Sequence, residues 1–141
     1  MNSLDNEFQR ETFLSIMNGF QAKTLHQASL KSGWDVVENA VSTIADVVSS
    51  ATFPAGDFGN SGIERAFENA YMVFAGGLGT KAVYIRQSGY DTHGDQDSAH
   101  SSLLSSLNSG LDSFIANMNA KGLWKDTIVY FVSEFSRTNG E

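Results

Sequence analysis

AVYIRQSGYDTHGDQ (residues 82–96) and TIVYFVSEFSRT (residues 127–138) are the two segments that decide the predicted fold. Each begins with a six-residue segment, at 82–87 and 127–132, whose β-branched and aromatic residues indicate a strand. Between them, apolar residues recur at the helical period over about 98–121. A strand, a helix and a second strand in succession form a right-handed βαβ unit with parallel strands. We therefore predict an α/β fold with a partial parallel sheet.

The N-terminal part is predicted to be helical. Apolar periodicity indicates one helix over about 1–32, which Asn18-Gly19 can bend or divide, and a second over 34–50 after Gly33. A third helix is predicted over 63–75. The irregular segment 51–62 contains the single proline, Pro54, and marks a boundary. We expect a helical part over 1–52 and an α/β part over 53–141.

Composition narrows the classes of function. A chain of 141 residues is one domain or part of one. Nine basic against sixteen acidic residues give a net charge of −7, which argues against nucleic acid or an anionic membrane as a partner. No apolar run approaches the roughly 20 residues of a transmembrane helix. The absence of cysteine excludes disulfides, thiol catalysis and cysteine-ligated zinc, and leaves the compartment open.

Residues able to carry chemistry follow the two predicted strands. Asp91 and His93 come after the first strand and Glu134 after the second. Parallel strands end at the same edge of a sheet, where ligands bind in open α/β folds, so these side chains are expected to converge. A carboxylate and an imidazole two positions apart suit a divalent metal such as Zn²⁺, Mn²⁺, Ca²⁺ or Mg²⁺. The alternative is a structural turn in which Asp91 caps backbone N–H groups and His93 is exposed.

Three further roles stay open on spacing alone. His100, early in the long helix, is either a metal or outer-shell ligand or a packed structural histidine. Glu134 can complete a metal site or act as a general base. Arg137 can pair with Glu134 or bind an anionic substrate such as phosphate or sulfate. The positive N-terminal end of the long helix also favours an anion.

These residues resemble a large bacterial family of domains of unknown function. The family pattern reads approximately GGFDTHxxQ, HxxLL and S[ED]FGRT, and proteins of this family are often exported by the twin-arginine route. The resemblance places them near sulfatases, in the alkaline phosphatase superfamily. The resemblance covers about residues 53–138. Ser136 stands where the S[ED]FGRT motif has glycine. The matching residues are Gly89, Tyr90, Asp91, Thr92, His93, Gln96, His100, Leu103, Leu104 and 133–138.

The resemblance implies a metal-dependent hydrolase of phosphate or sulfate esters. Asp91 and His93 would bind one metal and Glu134 another, with Glu134 and Arg137 as the catalytic residues. The superfamily's nucleophile motif, its downstream Asp-His-Gly and an export signal have no counterpart in this sequence. The chain is therefore expected to be a piece of a larger, exported or periplasmic protein that acts on an anionic small molecule.

Two alternatives accompany the hydrolase interpretation. The first is a non-catalytic binding or envelope-associated module that keeps the fold without its chemistry. The second is a site that binds a structural ion only. Because two strands alone leave unpaired edges, we also expect the chain to associate with the rest of its sheet or with itself.

Overall fold

The computed structural model describes residues 3–133, with side chains from residue 11 onward. The chain divides into two compact units, Met1–Ser49 and Ser50–Glu141. The first contains the helices α1 (Ser3–Gly19) and α2 (Leu25–Ser49). The second contains α3 (Gly62–Ala75), α4 (Gln96–Ala120) and a 3₁₀ turn at Trp124–Asp126. Across the described residues, no helix combines the length and the apolar composition that a bilayer crossing requires.

The boundary between α1 and α2 is set by a capping motif. The Thr24 hydroxyl accepts a 3.2 Å hydrogen bond from the backbone N–H of Gln27. The Gln27 side chain in turn accepts one of 2.8 Å from the backbone N–H of Lys23. The first bond is an N-cap contact and the second holds the residue before the cap, so the two together mark a helix start. The chain therefore divides after Gly19, as one of the two alternatives for that position predicted.

The predicted boundary at Gly33 is wrong, because α2 continues through this residue. A glycine inside a helix costs only about 1 kcal/mol relative to alanine, which neighbouring turns can absorb. Without a cap or a left-handed residue, Gly33 does not end the helix. Ring packing between Phe13 of α1 and Trp34 of α2, at 4.8 Å between centroids, joins the two helices.

The second unit is built on the pairing of α3 with α4. Ser61 caps α3 through a reciprocal capping box with Glu64, as its sequence pattern favours. Gly110 of α4 lies directly over α3, because a Cβ built there would stand 2.8 Å from Phe67 Cδ2 and 3.1 Å from Glu64 Cα. The apolar core of this pair consists of Ile63, Phe67, Ala70, Tyr71, Met72, Phe114 and Met118.

One buried polar residue ties the loop before α3 to α4. Asn117 is completely buried, and its amide nitrogen donates to the carbonyls of Gly56 and Ser113, both at 3.0 Å. Nearby, the Tyr71 hydroxyl donates to the Thr52 carbonyl at 2.9 Å, and burial raises the pKa of Tyr71. The loop is therefore held by hydrogen bonds to the helix pair.

The end of α4 follows the predicted glycine signal. Gly122 has φ of 72°, and its N–H bonds the carbonyl of Asn119 at 2.9 Å. The N–H of Leu123 reaches the carbonyl of Met118, also at 2.9 Å. These two bonds form a Schellman motif, which satisfies the last carbonyls of the helix. The predicted helix over 98–121 is therefore confirmed, with bounds one or two residues earlier.

The predicted α/β fold with a parallel sheet is wrong. Residues 3–133 contain helices and no strand, and the segments 82–87 and 127–132 lie without a ladder partner in this part of the chain. Ile128, at the centre of the most apolar segment, is 93% exposed, and Tyr84 is 83% exposed. The residue types favour a strand only where a neighbouring strand and a covering layer exist. The described part of the chain provides neither for these segments.

Candidate functional site

The predicted site lies in the turn that leads into α4, at residues 88–95. Gly89 has φ of 104°, a conformation that residues with a side chain rarely adopt, and a Cβ built there would stand 3.4 Å from a methyl of Leu103. The N–H of Thr92 then bonds the Tyr90 carbonyl at 3.0 Å, which tightens the turn. The side chains of Asp91 and His93, on either side of Thr92, are exposed to solvent.

The side chain of Gln87 fastens this turn to α4. Gln87 donates from its amide nitrogen to the Leu103 carbonyl at 3.0 Å. Its amide oxygen accepts a 2.9 Å hydrogen bond from the Tyr90 hydroxyl. Gln87 therefore connects the helix on one side with the turn on the other. Sequence reasoning missed this residue, although its position just before the Gly-Tyr-Asp-Thr-His motif was an available signal.

His100 has a positioning role in the same network. Its Nε2 lies 3.0 Å from the Tyr90 carbonyl oxygen, and because a carbonyl only accepts, this nitrogen carries the proton. Thr92 Oγ1 lies 3.5 Å from the same nitrogen. The rings of Tyr90 and His100 also meet edge to face, with centroids 5.6 Å apart. His100 thus holds the backbone of the turn from the first turns of α4.

Asp91 and His93 are the predicted ligands that the structure brings together. Asp91 Oδ1 lies 3.6 Å from His93 Nε2, and the two side chains are 87% and 89% exposed. Tetrahedral zinc with bonds of about 2.1 Å places neighbouring ligand atoms roughly 3.4 Å apart. The observed separation therefore fits two adjacent ligands of one ion with little movement of either side chain.

The other predicted site residues do not join this pair in the described structure. Glu134 and Arg137 lie outside the described residues. Within residues 3–133, no group of three or more His, Asp or Glu side chains is placed to hold a metal ion. The N-terminus of α4, predicted to favour an anion, carries Asp97 in its first turn. The described site therefore consists of two neighbouring ligands on an anchored turn.

These observations define a helical chain that carries an Asp-Thr-His turn fastened to the first turns of α4. The chain belongs to the family described as "Protein of unknown function (DUF1501)", which matches residues 9–141. No curated protein and no solved structure gives a significant match to it.

The expected relation to sulfatases and to the alkaline phosphatase superfamily is corrected accordingly. The family match extends only to the family of unknown function. That superfamily places its metal ligands at the ends of parallel strands, and residues 3–133 contain no sheet. The sulfatase and α/β descriptions are therefore not retained for this chain.

Proposed function

We propose that this chain supplies Asp91 and His93 to a divalent metal ion in a protein that hydrolyses phosphate or sulfate esters. The observation that carries the proposal is the 3.6 Å separation between Asp91 Oδ1 and His93 Nε2. A carboxylate and an imidazole at this spacing suit Zn²⁺ or Mn²⁺ best among the four predicted ions, because Ca²⁺ and Mg²⁺ prefer oxygen ligands.

The anchoring network supports this assignment. Two ligands bind an ion more tightly when their separation is fixed before the ion arrives. Here Gln87 and His100 hold the start of the turn, through hydrogen bonds to the Leu103 and Tyr90 carbonyls. The turn itself is therefore ordered by α4, whereas the two ligand side chains remain open to an incoming ion.

The proposal extends to two residues outside the described structure. Glu134 is the proposed additional ligand or general base, and Arg137 the proposed contact for the anionic group of the substrate. A bound divalent ion would supply Lewis-acid polarisation of the ester and a water of lowered pKa. Asp91 and His93 would hold that ion, and His100 would keep their turn in place.

The setting of this activity is part of the proposal. The Gly-Tyr-Asp-Thr-His and Ser-Glu-Phe-Ser-Arg-Thr motifs resemble those of proteins that are often exported. We propose a periplasmic or otherwise exported protein whose substrate is an anionic small molecule. Further ligands and a nucleophile from other parts of such a protein would complete the site.

A second candidate function is a binding module without catalysis. It is favoured by the exposed apolar segment 127–132, in which Ile128, Tyr130 and Val132 all face solvent. An extended apolar segment with unpaired backbone groups can bind a partner strand by main-chain hydrogen bonds. The absence of a third metal ligand among residues 3–133 favours the same interpretation.

Calorimetric titration separates the two candidates. Zn²⁺, Mn²⁺, Ca²⁺ and Mg²⁺ are titrated into the wild type and into the double variant Asp91→Ala/His93→Ala. The matched control is His26→Ala/Asp97→Ala, which removes the same two residue types from other exposed positions. We expect binding of Zn²⁺ or Mn²⁺ to the wild type and the control, and its loss in the double variant.

The alternative outcome is equally informative. If the folded wild type binds none of the four ions, or if the double variant binds them as well as the wild type does, the metal proposal fails and the binding module takes its place. A positive result leads to hydrolysis assays with aryl phosphate and aryl sulfate esters, in which Asp91→Ala/His93→Ala should be inactive.

A further inference from the structure

The helix α2 carries a continuous apolar stripe whose residues, apart from Trp34, are about half exposed or more. Its apolar residues are separated alternately by four and three positions over nearly the whole helix. This spacing is the a/d pattern of a coiled coil, sustained here for almost three heptads. The residues of this α2 seam are Leu30, Trp34, Val37, Val41, Ile44 and Val48.

The described side chains of the first unit form no core that could bury the seam. Among the described side chains of residues 11–49, none is buried. Leu30 is 73% exposed and Val41 is 49% exposed. Phe13 of α1 packs on Trp34, but Leu30 and Val37, about one turn to either side, stay exposed. A helix with such a stripe is stabilised by packing against another element rather than by its own propensity.

We propose that the α2 seam binds a second copy of itself, with the two helices antiparallel. A two-fold interface requires that a residue i facing j is matched by j facing i. The seam meets this condition in one register, centred on Asn39, in which all six residues find an apolar partner. Leu30 then faces Val48 of the second copy, Trp34 faces Ile44, and Val37 faces Val41.

Side-chain volumes favour the antiparallel arrangement over a parallel one. In a parallel pair, Trp34 would face its own copy in one layer, whereas Val41 would face another valine two layers on. The antiparallel register sets the large Trp34 against Ile44, so that layers have more even volumes and pack at native density. Each layer of this register pairs an a residue of one copy with a d residue of the other, as antiparallel pairing requires.

The flanks of the seam complete the arrangement. On one side, Gly33 and Ala40 are small, and Ala40 meets its own copy near the two-fold axis. This allows the helix backbones to approach closely. On the other side, Glu38 approaches its own copy at the exposed rim, where like charges cost little in high dielectric. The apolar layers therefore dominate the association.

The oligomeric state of the full chain tests this proposal. Size-exclusion chromatography with light scattering, over a micromolar concentration series, is applied to the wild type and to Val41→Glu. The matched control is Val36→Glu, because Val36 is a valine of the same helix that is exposed (66%) and lies outside the seam. We expect dimers for the wild type and the control. Val41→Glu should raise the dimer dissociation constant by about a hundredfold or more.

Three outcomes would overturn the proposal: a wild type that is monomeric throughout, a larger oligomer, or equal loss of association in both variants. Circular dichroism of each variant establishes that α2 is still helical.

Cross-linking tests the register independently of folding effects. The chain has no cysteine, so single cysteines report without background. Oxidation should link Ala40→Cys into a disulfide dimer, because two copies of this position meet at the axis. Asn39→Cys lies on the outer face and should run as a monomer in denaturing electrophoresis without a reducing agent. Faster cross-linking of Val41→Cys than of Ala40→Cys would indicate parallel helices and would contradict the proposed register.

Discussion

The backbone N–H of Ala55 donates a 3.1 Å hydrogen bond to the side-chain oxygen of Asn117, 62 residues later in the chain. The nitrogen of the same side-chain amide donates to the Gly56 carbonyl. Asn117 therefore bonds two consecutive residues of the loop before α3. Because Asn117 is completely buried, water cannot replace these bonds. The contact joins the start of the second unit to the end of α4.

Replacing Asn117 with alanine should therefore destabilise the protein by about 2–4 kcal/mol, since the loop loses both hydrogen bonds to this fully buried side chain. Urea unfolding followed by circular dichroism measures the change. Asn119→Ala is the control: the side chain of this exposed residue donates to the Ile115 carbonyl of its own helix. Its effect should stay within roughly 0.5 kcal/mol. Equal effects of the two substitutions would show that the Asn117 contact is not structural.

Gly110 and Gly33 should respond in opposite directions to alanine. At Gly110 the new methyl would meet Phe67 and the backbone of Glu64, so overpacking should cost about 1–3 kcal/mol despite the better helix propensity of alanine. At Gly33 no atom lies within 4 Å of the new methyl, and alanine should stabilise α2 by about 0.5–1 kcal/mol. Thermal unfolding of both variants checks the signs, and a stabilising Gly110→Ala would contradict the close approach of α3 and α4.

The carboxylate of Glu64 should make the stability depend on pH. Hydrogen bonds from Ser61, and then from the Ser109 hydroxyl at 2.7 Å, lower the pKa of Glu64. Because the folded pKa lies below the unfolded one, this stabilisation is present above the unfolded pKa and is lost as the pH falls through the folded pKa. We expect the loss as the pH falls through and below the ordinary range of a glutamate carboxyl.

Urea unfolding across that pH range provides the measurement. The variant Glu64→Gln should lack this part of the acid loss, because its side chain does not titrate. Ser109→Ala should show a smaller acid loss than the wild type, because one donor to the carboxylate is gone. An unchanged pH profile in Glu64→Gln would contradict the stabilising role of the charge.

The helices of the second unit could be predicted from the sequence because their signals are local. Apolar residues at the helical period set the faces of α3 and α4. The Ser61–Glu64 capping box and Gly122 mark helix ends within a few residues of chain. Local signals also account for the approach of Asp91 to His93, since the two residues are separated by one position.

The sheet could not be predicted correctly because strand formation depends on partners distant in sequence. Residues 82–87 and 127–132 have strand-forming composition, but no neighbouring strand stands beside them in the described chain. The same dependence explains the missed contacts of the site. Gln87 reaches Leu103, and Ala55 reaches Asn117, only after α4 has packed. No local pattern specifies such pairs.

His100 should influence metal binding without being a ligand. Replacing it with alanine removes the hydrogen bond to the Tyr90 carbonyl, so the turn becomes less fixed. Loss of such a supporting contact typically weakens metal affinity about 10- to 100-fold. Calorimetry should therefore show weaker binding in His100→Ala and none in His93→Ala. Complete loss in both variants would instead indicate that His100 itself binds the ion.

The most direct test of the Asp91–His93 site is a nuclear magnetic resonance titration of the ¹⁵N-labelled chain with Mn²⁺ at substoichiometric amounts. A paramagnetic ion broadens the amide signals nearest to it. We expect the amide signals of residues 89–95 to broaden first and Asp91→Ala/His93→Ala to abolish this pattern. Broadening that begins elsewhere, or that persists unchanged in the double variant, would contradict a metal site at this turn.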